Sequence, residues 1–329
     1  MKASTQKQLA AFFASVSAEY DVRVPVRLHD GTRALGRLDE GPLALAGGPL
    51  PTKPTSAFFP QTEQILRVGE DGIEPVGPPE KPLFVVGLTA QDADCLEFID
   101  RFFAAEYRDD VYYGKRDGAV IGCVSGRCGR DGELLKIAGD RCDLELICDG
   151  EKYLVAAYSP AGRALAEKVD GDEAGAATLA ELQQASDALP TEDLDLLQAA
   201  SKLLLDEKVP EAFWQSISDR CIACTSCNLV CPTCTCFDVL DRTVAGTVQR
   251  WRLWDSCQLD GFMREASGHN PMGSEPLRTR RRIHHKLASD VTRWGHITCF
   301  LCGRCDEACP TGIGIKAVCR EMVARHGSP

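Results

Sequence analysis

The chain has 329 residues, 44% hydrophobic and 26% charged, with a formal net charge of −11. That is the make-up of a globular protein long enough for two domains, and its overall acidity argues against nucleic-acid binding. No run of eighteen apolar residues occurs, which excludes a conventional membrane-spanning helix, and seventeen cysteines without an export signal point to metal ligation or redox work rather than disulfides.

Taken in chain order, residues 4–19 read as an amphipathic helix rather than a signal peptide, because Ser15 and Ser17 break its apolar stretch. "YDVRVPVRLHDGTRALGRL" alternates apolar and polar residues around Asp30-Gly31, the pattern of a β-hairpin. Residues 40–80 are rich in Gly and Pro and are expected to run over the surface, with short strands at most. "KPLFVVGLT" (81–89) is a buried-strand pattern. "QDADCLEFIDRFFAAEY" follows with helical spacing of Cys95, Leu96, Ile99, Phe102 and Phe103. Segments 118–124, 143–150 and 151–159 read as further strands. Strand followed by amphipathic helix implies an α/β layer. From about Ala161 to Phe213 the spacing turns helical. The expected class is α+β: an N-terminal α/β domain (1–160) used for docking, a helical connector (161–215), and a C-terminal, largely α-helical domain (216–329) that the cysteine runs described next mark as a ferredoxin-like dicluster domain.

Cysteine and charge both mark that last part. Twelve of the cysteines follow Arg220, and from Cys221 onward fourteen Lys and Arg stand against ten Asp and Glu. Its first run, Cys221-x2-Cys224-x2-Cys227-x3-Cys231-Pro232, recurs as Cys299-x2-Cys302-x2-Cys305-x3-Cys309-Pro310. In the bacterial ferredoxin run, three closely spaced thiolates wrap one face of a cubane, and the fourth ligates the neighbouring one. The spacing therefore assigns one [4Fe–4S] cluster to Cys221, Cys224, Cys227 and Cys309, and a second to Cys299, Cys302, Cys305 and Cys231. Structural zinc is the alternative, but zinc ribbons use two C-x2-C pairs with a longer gap. The basic run Arg278–Lys286 reads as compensation of cluster charge or docking of an acidic partner, against the plainer reading of a solvated helix face.

Cys234, Cys236, Cys257 and Cys319 are left over, and a third centre among the first three stays open against the simpler reading of small buried thiols beside the clusters. Cys123, Cys128, Cys142 and Cys148 could form a further site, but their spacings match neither zinc nor cubane patterns and they are expected in the core. His269, His284 and His285 are expected to hydrogen-bond around their loops. No GxGxxG, P-loop or nucleophile constellation occurs, so no catalytic residue is assigned.

"CIACTSCNLVCPTCTCFDVLD", "RLWDSCQLDGFMREASGHNP", "LRTRRRIHHKL" and "CFLCGRCDEACPTGIGI" resemble the iron–sulfur beta subunit of cytoplasmic NAD(P)-linked nickel–iron hydrogenases (sulfhydrogenases), and the related iron–sulfur subunit of anaerobic sulfite reductase. "KPTSAFFPQTEQIL" (53–66) extends the resemblance towards the N-terminus, and "VVGLTAQDADCLEFID" and "DDVYYGKRD" do so more weakly. The resemblance implies a cytoplasmic electron-transfer subunit with no active site of its own. It would relay electrons through two [4Fe–4S] clusters between the nickel–iron hydrogenase subunits and a flavin- and NAD(P)-binding reductase subunit. The alternative partner is a sirohaem sulfite reductase subunit, and a non-redox protein with structural metal is the alternative from another class. No nucleic acid and no membrane insertion are expected.

Overall fold

The computed structural model describes residues 1–70, 72–174 and 176–327. The chain divides into two compact units, Met1–Phe59 with Pro75–Leu189, and Pro60–Glu74 with Pro190–Pro329.

The first unit is built on a nine-stranded sheet. Its centre is parallel: Asp21–Arg27, Leu83–Leu88, Val120–Arg127 and Leu144–Cys148 lie side by side, with Phe84 opposite Val120 and Gly122 opposite Leu144. Antiparallel strands extend both edges, Arg33–Gly36 on one and Tyr153–Ala157 then Lys2–Ser4 on the other. Parallel strands are covered on both faces, which is why "LFVVGL" is buried at every position. Gly87, at φ +102, is needed here: a Cβ would meet the Pro25 ring at 2.3 Å, and the register shifts beside it.

Two capped helices pack on this sheet. Thr5 and Gln8 form a capping box that opens Gln6–Val16, which buries Leu9, Phe12, Phe13 and Val16. Thr89 and Asp92 do the same for Ala90–Ala104, which buries Cys95, Leu96, Phe98, Ile99 and Phe103. Each such side chain contributes about 1.5–3 kcal/mol of hydrophobic stabilisation. The hairpin at Asp30-Gly31 and the strands expected at 118–124, 143–150 and 151–159 are all present, with shorter or shifted ends.

Residues 40–80 differ from expectation. Leu45, Leu50, Phe58 and Phe59 are fully buried, Phe59 packing on Phe103 at 5.3 Å. Thr62–Gly69 is an eight-residue strand. Glycine and proline marked turns correctly, but the few apolar residues between them find partners far away in sequence.

That strand belongs to the second unit. It pairs antiparallel with Thr247–Trp254, itself paired with Phe237–Val244, and Gly72–Pro75 completes the four-stranded sheet. The Phe237–Trp254 hairpin is an element missed in the sequence. Its signal was there: the alternation in "TVQRWRLW" and the Ala245-Gly246 turn, both residues at positive φ as a tight hairpin turn requires. The rest of the unit is helical. Glu192–Leu205, Glu211–Ser218, Glu275–His284 and Ile315–His326 enclose Leu197, Trp214, Ile217, Ile283, Leu287, Val318 and Met322. Cys221, Cys299, Cys305 and Cys309 pack against this apolar core.

Candidate metal centres

The two cysteine runs fold as the same device twice. Ala223 and Thr225 have positive φ in the first, and Leu301 and Gly303 at the matching places in the second. Each loop then enters a one-turn helix, Ser226–Leu229 or Arg304–Glu307, that carries the third cysteine. Left-handed backbone at a non-glycine residue costs about 1–2 kcal/mol, and three such residues are held here. The curl turns backbone N–H groups towards sulfur. Ala223 donates to Cys221 Sγ at 3.4 Å, Leu301 to Cys299, and Ile313 to Cys309 Sγ at 3.3 Å.

One cavity has Cys221, Cys224, Cys227 and Cys309 in its wall, together with Arg282, Ile283 and Ile313. Three of these thiols come from the first run and the fourth closes the second. Cys231 acts electrostatically on Cys299 and Cys305, two thiols of the other run. Cys302 lies on the loop between Cys299 and Cys305, half-buried. Cys224 is exposed, so the first group reaches solvent.

The thiols are strongly perturbed. Burial pushes Cys227 up to about 11 and Cys299 and Cys305 also upward. Cys231 is held well below the usual thiol range by contact with Cys234 and by the Lys286 ammonium. Burial also works against ionisation of Cys309, but hydrogen bonds from Thr311 and the Ile313 N–H outweigh it, leaving that thiol lowered.

Three cations of the basic run face inward. Arg278, Arg282 and Lys286, four residues apart along one helix face, are 8% exposed or less. The solvated-face reading fails for these three. Burial disfavours the charge on Lys286, yet Cys231, Cys234 and Cys299 raise its affinity for the proton well above the ordinary value. Its Nζ donates to Thr233 Oγ1 at 2.7 Å, and Thr233 in turn donates to the Thr298 carbonyl at 2.9 Å. A π-helical turn, His285–Ser289, carries Lys286 here; such bulges are frequent at functional sites.

The leftover cysteines are close by. Cys234 contacts Cys231, and Cys236 contacts Cys257. Asn228 Nδ2 donates to Cys257 Sγ at 3.1 Å and to Ser256 Oγ at 2.9 Å. Cys319 is buried in the helical core, and Cys123, Cys128, Cys142 and Cys148 are buried in the first unit. His284 Nδ1 pairs with Ser289 Oγ at 3.1 Å and His285 with Asp290 at 3.2 Å, whereas His269 hydrogen-bonds through its backbone. Sequence reasoning found the basic run but not its inward face, nor Asn228 and Thr233. Only the four-residue spacing of Arg278, Arg282 and Lys286 could have pointed to the first.

The donor set suits an iron–sulfur group. Thiolates are the ligands such clusters take, N–H groups aim at sulfur, and buried cations stand ready to offset negative charge. Arg282 Nε is moreover a buried donor without an acceptor among the described residues. Residues 220–313 match the family model described as a 4Fe-4S dicluster domain. That stretch of the chain is similar to iron–sulfur dicluster domains. Part of the chain is also similar to the beta subunit of sulfhydrogenase 2 from Pyrococcus furiosus, 36% identical over 111 residues. That match spans 33% of this chain and 33% of the relative's length. The likeness read from the cysteine runs of the dicluster domain is therefore borne out with a hydrogenase beta subunit. Among the described residues, no helix is long and apolar enough to cross a membrane.

Proposed function

We propose that this chain is an electron-relay subunit of a cytoplasmic hydrogenase-type complex, with two [4Fe–4S] clusters in its dicluster domain. Cys221, Cys224, Cys227 and Cys309 would hold the first, and Cys299, Cys302, Cys305 and Cys231 the second. The observation that carries this reading is a cavity walled by three cysteines of one run and the last cysteine of the other. Clusters of this type take up and release single electrons when bound. The chain's own residues hold them, keep water off them with Ile283, Leu287 and Ile313, and offset their charge with Arg282 and Lys286. The exposed Cys224 edge is where a redox partner would approach. The partners of this reading are nickel–iron hydrogenase subunits and a flavin- and NAD(P)-binding reductase subunit; the named relative favours these over a sirohaem sulfite reductase subunit.

The test is iron, acid-labile sulfide and zinc on anaerobically purified protein, followed by co-purification. About eight irons and eight sulfides per chain are expected, with a nickel protein in the complex. Zinc without sulfide would end the relay reading, and a sirohaem protein in place of nickel would move it to sulfite reduction.

A further inference from the structure

We propose that Arg282 serves both clusters at once, as a shared cation that raises the reduction potential of each. The proposal rests on the two-cluster reading above. Arg282 stands in the wall of the cavity formed by Cys221, Cys224, Cys227 and Cys309. The two thiols that act on its charge most strongly, Cys305 and Cys227, belong to different ligand sets. The residue is 8% exposed, and its Nε has no hydrogen-bond acceptor among the described residues. A guanidinium carries five donors and no acceptor, and a buried donor left unmade is costly. A cluster sulfur held in the adjoining cavity would supply such an acceptor.

The neighbours on the same helix face have different assignments. Arg278 is already occupied by Asp260 and the Met272 carbonyl, at 3.2 and 2.8 Å. Lys286 is committed to Thr233, and the thiols acting on it most strongly are Cys231, Cys234 and Cys299, two of which belong to the second set and none to the first. The stripe is thus graded along its length, from a structural cation through a shared one to one that serves the second cluster. A buried positive charge and a donor to sulfur both favour the reduced cluster, and these are the levers by which protein sets a cluster's potential.

The experiment is a dye-mediated redox titration followed by electron paramagnetic resonance. It uses the anaerobic full-length protein and its Arg282→Gln, Arg282→Lys and Lys286→Gln variants, with iron and sulfide measured on each. Arg282→Gln is expected to lower both midpoint potentials, Arg282→Lys to lower both by less, and Lys286→Gln to lower one clearly more than the other. If Arg282→Gln loses iron, loss of both clusters with retention in Arg282→Lys supports the shared role, and loss of one alone overturns it. Wild-type iron with unmoved potentials in Arg282→Gln overturns the proposal while leaving the two-cluster reading intact. A wild type without about eight irons overturns that reading and the proposal together.

Discussion

Glu63 and Arg252, 189 positions apart, are joined in the interior of the second unit, Arg252 Nη2 donating to Glu63 Oε1 at 2.6 Å and Nε to the same oxygen at 3.0 Å. Arg252 is 3% exposed and Glu63 9%. The pair locks the strand Thr62–Gly69 to Thr247–Trp254, which runs on to Ser256 and Cys257 beside Asn228. Removing one partner strands a buried charge, which typically costs about 3–5 kcal/mol. Glu63→Ala is therefore expected to destabilise this unit by about that amount, and the double change Glu63→Leu with Arg252→Met by much less. Chemical denaturation of both variants, with iron retained, checks the difference.

Ligands and bystanders separate by metal content. On the proposed two-cluster reading, Cys309→Ser is expected to cut iron to about half of the wild-type value of about eight, since it would remove one corner of one cube. Cys234→Ser, Cys236→Ser and Cys257→Ser should keep the full complement. Parallel iron and sulfide assays on the four variants decide this, and a loss in any of the last three would place a ligand among them.

The curled loops store strain that one substitution can release. Thr225 sits at φ +64 where the second copy has Gly303 at φ +77. Thr225→Gly is expected to stabilise the dicluster domain by about 1 kcal/mol, and Gly303→Ala to destabilise it by about 1–2 kcal/mol. A Cβ at Gly303 would meet nothing within 4 Å, so the second effect is backbone strain alone. Thermal unfolding of the two variants should move in opposite directions.

Acid stability of the first unit has a named contributor. Burial raises the Asp21 carboxyl, but Arg23 and Arg37, hydrogen-bonded to it at 2.9 and 3.0 Å, bring it below the ordinary 3.8. A carboxyl lowered by folding adds stability above its unfolded value, and loses it as pH falls through the folded one. Asp21→Asn should therefore be less stable than wild type at neutral pH, with the gap closing below about pH 3.8 as the wild type protonates. Unfolding midpoints across pH 2–7 test it.

Local chemistry was legible in the chain. The two cysteine runs stood out by their spacing, the helices Gln6–Val16 and Ala90–Ala104 by their apolar periodicity, and the strand Leu83–Leu88 by its continuous apolar run. What spacing leaves open is which distant segments meet. Thr62–Gly69 lies among glycines and prolines and alternates weakly, so nothing local tied it to a strand at 247–254. The basic run likewise shows its charge but not its direction. Packing of the helix core alone decided that Arg282 and Lys286 turn inward, because Ile283 and Leu287 must be buried with them. Short-range order follows from covalent spacing and backbone sterics; these long-range choices follow from which apolar surfaces leave water together, and only the folded chain makes them.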